Sequence, residues 1–125
     1  MDIGRLDAAE PFITKDGSTI REVAGPVSLP TQNQSLAEAT VPAGGATDQH
    51  FHRVSEEIYF FTRGSGRMRL GDDEAEVQAG DTVVIPPGVE HKLWAAAGED
   101  LQLLCCCAPP YSHDDTVITE PGFSG

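Results

Sequence analysis

The chain has 125 residues, which is a usual size for a single domain and enough to bury a hydrophobic core. It carries 20 Asp and Glu against 8 Lys and Arg, a formal net charge of −12, and this acidity argues against nucleic acid or an anionic membrane as a partner. No apolar run reaches the roughly 18 residues needed to span a bilayer, and the first residues lack the basic and apolar pattern of a signal peptide.

Short strands separated by Gly and Pro turns are predicted along most of the chain. After a polar arm, strands are expected at residues 12–14, 19–23, 35–41, 50–52, 58–62, 67–70, 75–77, 82–85, 91–95 and 101–107. The sequence Lys15-Asp16-Gly17-Ser18 predicts a turn between the first two strands. No segment has the periodicity of a helix between a cap and a Gly stop.

The spacing of these strands indicates the fold class. Strands about 8–12 residues apart, split by Gly and Pro turns, are typical of an all-β sandwich or barrel, and a jelly roll lets several strands face one interior. We expect one domain, with an arm at residues 1–11, a barrel at 12–108 and a tail at 109–125. The tail contains one candidate strand at 116–119.

Two histidines and a glutamate form the first candidate site. His50 and His52 are separated by one residue, so their side chains point to the same face of an extended strand while Phe51 points away. A short turn through residues 53–56 could bring Glu57 back beside them. Imidazole and carboxylate ligands together suit Zn, Fe, Mn or Ni. The pattern therefore predicts a metal site built on strands.

Two segments of the chain resemble the paired motifs of the cupin superfamily. The first has five, one, four and six residues between its distinctive members, which are Gly44, His50, His52, Glu57 and Gly64. The second has five, one and two residues between its members, which are Gly80, Pro86, Gly88 and His91. The one departure from the family pattern is Ala95, which stands where cupins usually have Asn.

The resemblance implies a cupin jelly-roll barrel, or double-stranded β-helix, that binds one divalent ion of Fe, Mn, Zn, Ni or Co. The implied ligands are His50, His52, Glu57 and His91, and open coordination positions would receive substrate or O₂. Glu56 is an alternative ligand at a shorter spacing, but Glu57 is favoured because it shares a strand face with Tyr59. The change at Ala95 affects contacts around the ligands or substrate rather than the ligands themselves.

Other residues near the motifs have less specific patterns. Tyr59 is the candidate catalytic residue, as part of a proton relay, and is otherwise cavity wall or core. The adjacent Cys105, Cys106 and Cys107 cannot easily pair with one another, which fits a reducing cytoplasm. Cys105 and Cys107 share one strand face; buried cysteines usually act as small hydrophobes, and a sulfur near the metal cavity is the alternative. A polar segment at residues 111–115 could cover the cavity or contact a partner subunit.

The fold by itself does not determine the reaction. The resemblance implies a metal-dependent enzyme, of the dioxygenase or isomerase/lyase type, acting on a small polar or sugar-like substrate; the alternative is a non-catalytic module that binds such a molecule. Small cupins are often labelled mannose-6-phosphate isomerase-like, yet this sequence has no Gly-rich phosphate loop and no clear Lys/Arg cluster. The family also implies a homodimer, with no nucleic-acid or membrane partner.

Overall fold

The computed structural model describes residues 1–122, so residues 123–125 of the predicted tail lie outside the described part. Within that part, one 3₁₀ turn, Leu6–Ala8, precedes eleven strands. They are β1 (Phe12–Ile13), β2 (Thr19–Ala24), β3 (Ser35–Val41), β4 (His50–His52), β5 (Glu56–Arg63), β6 (Ser65–Leu70), β7 (Asp73–Gln78), β8 (Thr82–Ile85), β9 (His91–Ala95), β10 (Leu101–Ala108) and β11 (Thr116–Ile118). The all-β prediction is confirmed. None of the described residues belongs to a helix long and apolar enough to cross a membrane.

The strands form two antiparallel sheets. The first has the order β1-β2-β3-β10-β5-β8, and the second has the order β11-β4-β9-β6-β7. Neighbours in each sheet are often far apart in the chain, because the connections cross from one sheet to the other as in a jelly roll. The segment that the sequence predicts as a tail contributes β11, and this strand pairs with β4 at the edge of the second sheet.

Alternation along the strands turns one face of each sheet toward a common interior. On β5, Glu57, Tyr59 and Phe61 are buried and the residues between them are exposed. On β9, His91 and Leu93 are buried in the same way. Side chains from both sheets meet in one hydrophobic cluster, and the histidines, Glu57 and several Ser and Thr hydroxyl groups are the buried polar groups beside it.

The first motif ends at the start of β6, where close backbone contacts require glycine at two positions. Gly64 has a φ of +80°, a conformation that favours glycine, and a Cβ there would lie 2.4 Å from the Asp100 carbonyl oxygen. A Cβ on Gly66 would lie 2.1 Å from the Trp94 carbonyl oxygen. The chain passes so close to its neighbours here that only glycine fits, and the hairpin register beside β9 depends on it.

Candidate metal centre

Three histidines from two paired strands meet inside the barrel. His50 and His52 lie on β4, and His91 lies on β9 directly opposite His50 in the strand register. Their relative exposures are 3%, 4% and 0%. One ring nitrogen from each lies within 4.8 Å of the others, and the ring centroids of His50 and His91 are 4.2 Å apart. The three imidazoles are close enough together to hold a metal ion.

The hydrogen bonds of the Nδ1 atoms determine which nitrogens face the centre. His50 Nδ1 lies 2.7 Å from the Asp48 carbonyl oxygen, and His91 Nδ1 lies 3.0 Å from the Val89 carbonyl oxygen. Carbonyl oxygens only accept hydrogen bonds, so both Nδ1 atoms carry the proton. The Nε2 atoms of His50 and His91 therefore present lone pairs, which is the arrangement that metal-binding histidines use.

A hydrogen bond to the tail places the ring proton of His52 on Nδ1 as well. Thr116 on β11 donates its hydroxyl proton to the Ser112 carbonyl oxygen at 2.9 Å. Its oxygen therefore accepts a hydrogen bond from His52 Nδ1 at 3.1 Å, because the hydroxyl has only one proton to donate. His52 Nε2, like the other two, is left with its lone pair directed inward.

Glu57 supplies a carboxylate oxygen to this cluster. Its Oε1 atom lies 3.2 Å from His52 Nε2 and 3.5 Å from His91 Nε2. Its Oε2 atom accepts a hydrogen bond from the Cys107 thiol at 3.0 Å. Cys107 is 2% exposed, so this contact orients the carboxylate from inside the barrel.

Two atoms of this cluster are buried without a hydrogen-bond partner among the described residues, namely Glu57 Oε1 and His91 Nε2. Such orphaned acceptors are costly unless something electropositive lies between them. Two ligands of one ion, each about 2.1 Å from it, lie at most about 4.2 Å apart. The separations of Glu57 Oε1 from His52 Nε2 and His91 Nε2 fall within that limit, so a divalent cation fits these three donors.

Burial and neighbouring charges shift the ionisation of the cluster. Burial, with the charge of His91, lowers the pKa of His50 to about 4. Burial also opposes protonation of His52, but the hydrogen bond and charge of Glu57 raise its pKa above the usual value. Burial acts to raise the pKa of Glu57, but the close approach of its carboxylate to His52 and His91 holds that pKa well below its usual range. Glu57 thus stays a carboxylate, and His52 is the preferred proton acceptor.

A cavity of about 50 Å³ adjoins the cluster and is lined by His50, His52 and Glu57. Tyr59, the candidate catalytic residue, also lines it, and its ring lies 5.8 Å from that of His91. Burial, then the charge of Glu57, raises the pKa of Tyr59 well above its usual value. The phenol is therefore a proton or hydrogen-bond donor at neutral pH, and its catalytic role stays a prediction.

The structure shows where several residues lie whose role the sequence leaves open. Glu56 is exposed on the outer face of β5, whereas Glu57 faces the histidines. Ala95 is 8% exposed and belongs to the hydrophobic cluster. Of the polar segment at 111–115, Tyr111 lines the cavity, and Asp115 accepts hydrogen bonds from the amides of Val54 and Ser55.

Three residues that contact the cluster had no functional assignment from the sequence. Cys107 was interpreted as a small hydrophobe, yet its thiol contacts Glu57. Thr116 was only part of a candidate strand, and it orients His52. Asp16 was assigned to a turn, and its Oδ2 atom lies 3.6 Å from His50 Nε2. All three contacts join distant segments of the chain, and the sequence signals only that Cys107 shares a strand face with Cys105.

The family model of the cupin domain matches residues 37–107. This chain belongs to the cupin family. An uncharacterized protein of Methanocaldococcus jannaschii is 49% identical to this cupin over 114 residues, which cover 91% of each chain. The expectation that the two motifs are those of a cupin is therefore confirmed.

Solved structures share the cupin architecture at low sequence identity. The Streptomyces nucleoside dehydratase Pac13 matches with a TM-score of 0.79 and 15% identity, over 96% of this cupin and 92% of Pac13. The polyketide cyclase RemF from Streptomyces resistomycificus matches with a TM-score of 0.76 and 23% identity, over 86% of this cupin and 79% of RemF. At these identities the similarity concerns the fold alone.

Proposed function

We propose that this cupin is a metal-dependent enzyme that acts on a small, uncharged polar substrate, with chemistry of the isomerase or lyase type. The proposed ligands are His50, His52, Glu57 and His91. The observation that carries the proposal is the cluster of three buried imidazoles, two of which approach Glu57 Oε1 through Nε2, while Glu57 Oε1 and His91 Nε2 lack a hydrogen-bond partner among the described residues. A bound divalent ion would supply Lewis-acid catalysis at a carbonyl or hydroxyl oxygen.

The lining of the cavity supports an uncharged substrate. Its described lining includes three acidic residues, Asp16, Glu22 and Glu57, and no Lys or Arg. A phosphorylated sugar would meet these carboxylates without a Lys or Arg side chain to bind its phosphate. The hydroxyl oxygens of Thr14, Ser18 and other lining residues can instead accept hydrogen bonds from substrate hydroxyl groups. This composition favours a sugar-like or hydroxylated molecule over a sugar phosphate.

The first test is the metal content of protein purified without a histidine tag. We expect about one divalent ion per chain, and His50→Ala to remove it, because His50 contributes one of the three converging imidazoles. His113→Ala is the matched control, since His113 is exposed in the tail. If His50→Ala leaves the metal content unchanged, the site assignment is wrong.

The reaction type is tested by assaying the metal-loaded protein on a panel of small hydroxy- and keto-compounds. Parallel assays with and without O₂ separate the two predicted classes of enzyme. A product formed equally without O₂ supports isomerase or lyase chemistry. Product formation that requires O₂ contradicts our proposal and supports the dioxygenase instead.

A non-catalytic binding module is the second candidate, and one observation favours it. Both oxygens of Glu57 are engaged, one by Cys107 and one facing the histidines, so this carboxylate is not free to act as a base. Tyr59 keeps its proton at neutral pH and cannot act as a base either. Metal-independent binding of a sugar-like ligand, with no turnover by the metal-loaded protein, would favour the binding module.

We also propose that the protein forms a homodimer through the outer face of the first sheet. Ile58, Phe60 and Val84 are 39%, 42% and 52% exposed on adjacent strands, and Ile58 pairs with Val84 in the register. A contiguous apolar patch of this kind is typical of an interaction surface. Phe60→Lys should convert the dimer to a monomer in light scattering, whereas Val27→Lys, at an exposed site elsewhere, should not. A monomeric native protein would contradict this proposal.

A reducing compartment such as the cytoplasm suits the proposed site. The Cys107 sulfur must keep its hydrogen to donate to Glu57. Burial, then the charge of Glu57, raises the pKa of this thiol, which keeps it protonated. Oxidation of Cys107 would remove the donor and leave Glu57 Oε2 without it.

A further inference from the structure

The turn between β1 and β2 holds a carboxylate at the cluster. Asp16 Oδ1 accepts hydrogen bonds from Thr14 Oγ1 at 2.7 Å, from the Ser18 amide at 2.9 Å and from Ser18 Oγ at 2.7 Å. The second oxygen, Oδ2, makes none of these bonds and lies 3.6 Å from His50 Nε2. The Asp16 side chain is 12% exposed, so it faces the cavity rather than solvent.

The turn is attached to both sides of the site. The Asp48 amide donates a hydrogen bond of 2.7 Å to the Asp16 carbonyl oxygen, next to the histidine strand. Lys15 Nζ donates to the Thr116 carbonyl oxygen at 2.9 Å, on the strand that orients His52. Gly17 has a φ of +90°, which lets the chain reverse tightly at this point. The position of the Asp16 carboxylate is therefore fixed by the fold rather than by a free loop.

The turn explains the contacts of only one of the two Asp16 carboxylate oxygens. Aspartate commonly accepts a hydrogen bond from the amide two residues later, as Oδ1 does from Ser18. That role does not require Oδ2 to face His50 Nε2, whose lone pair is left inward by the bond from Nδ1 to Asp48. Two acceptors face each other here, as Glu57 Oε1 and His52 Nε2 do at 3.2 Å. A cation between Asp16 Oδ2 and His50 Nε2 would relieve this close approach of two acceptors, as a cation between Glu57 Oε1 and His52 Nε2 would relieve the other.

We propose that Asp16 Oδ2 is an additional ligand of the ion held by the three histidines and Glu57. This inference rests on the proposed function, because it requires that the site binds a metal. Two carboxylates with three neutral imidazoles would make the site neutral with a divalent ion. The added oxygen ligand favours ions that accept mixed nitrogen and oxygen ligands, such as Mn or Fe, and it comes from outside the matched cupin segment at 37–107.

The test uses Co²⁺ as the probe with the full chain. Asp16→Asn keeps an oxygen for the three donors in the turn but replaces Oδ2 by an amide nitrogen, which does not ligate. We expect Asp16→Asn to weaken Co²⁺ affinity by at least about 10-fold in chelator competition and to change the visible ligand-field spectrum of bound Co²⁺. Asp72→Asn, which removes one charge from an exposed turn, should change neither.

The outcomes separate this inference from the proposed function. If Asp16→Asn binds Co²⁺ with native affinity and spectrum while His91→Ala does not bind it, the Asp16 inference is wrong and the metal site stands. If the native protein binds no Co²⁺, both are wrong. Asp16→Ser, whose hydroxyl can still accept the Ser18 amide, is the second variant in case Asp16→Asn does not fold, as judged by thermal unfolding without metal.

Discussion

The strands that carry the histidines and the two terminal segments that cover them contribute differently to one cavity. β4, β5 and β9 present the imidazoles and Glu57 by simple alternation of buried and exposed residues. The N-terminal turn and the C-terminal tail supply hydrogen bonds instead, from residues such as Lys15 and Thr116. The comparison shows that strand alternation brings the proposed ligands together, whereas the orientation of their side chains depends on residues far away in the chain.

The strand residues and the terminal segments also differ in their electrostatic role. The strand residues bring lone pairs together and therefore repel one another in the absence of a cation or a proton. The terminal segments fix the Nδ1 proton of His52 through Thr116 and hold Asp16 near His50. Variants of the strands should therefore remove metal binding, and variants of the terminal segments should weaken it.

The largest effect is expected for Glu57→Gln compared with Glu56→Gln. Glu57→Gln removes a negative ligand from the centre of the cluster, and we expect metal affinity to fall by about 100-fold or more in chelator competition. Glu56→Gln changes an exposed residue on the adjacent position of β5 and should retain native affinity. Equal effects of the two substitutions would show that the face assignment is wrong.

Acidification should weaken metal binding by about tenfold per pH unit once one proton competes with the ion. The hydrogen bond and charge of Glu57 outweigh burial and raise the pKa of His52, so competition begins above the ordinary histidine value of 6.5. The sign follows because a proton on Nε2 occupies the lone pair that the ion needs. Chelator competition across neutral pH measures the slope, and a pH-independent affinity would contradict the prediction.

Thr116→Val tests the contribution of the tail. The change keeps the shape of the side chain but removes the acceptor that orients His52, so we expect about 10-fold weaker metal affinity. The unpaired His52 Nδ1 and Ser112 carbonyl should also lower the free energy of unfolding by about 1–3 kcal/mol. Thr119→Val is the matched control on the same tail, because its hydroxyl contacts Glu90 rather than a histidine. If both variants lose affinity equally, the tail acts through general packing and not through His52.

Cys107→Ala should have the smallest of these effects, a several-fold loss of metal affinity. It removes the thiol that donates to Glu57 Oε2, while the histidines keep their positions. Cys107→Ser restores a donor and should recover most of the affinity. Cys106→Ala, on the opposite face of β10, is the control. If Cys107→Ala binds the metal as tightly as Cys107→Ser does, the thiol acts only as a small hydrophobe.

The sequence by itself determined the fold class and the family. Turns rich in Gly and Pro separate strands whose residues alternate between two faces. The turn residues and the alternation are both local signals, so they predict strands without any knowledge of which strands pair. The same alternation placed His50 and His52 on one face and Glu57 with Tyr59 on another, and the structure has these faces buried.

Only the tertiary structure decided what surrounds those side chains. The contact between His52 and Thr116 joins residues 64 apart in the chain, and that between Cys107 and Glu57 joins residues 50 apart. Asp16 lies in a turn whose sequence predicts only a reversal of the chain, and its place beside His50 depends on how β1 and β2 dock. Contacts of this kind depend on which strands become neighbours in the two sheets, and strand alternation carries no information about that.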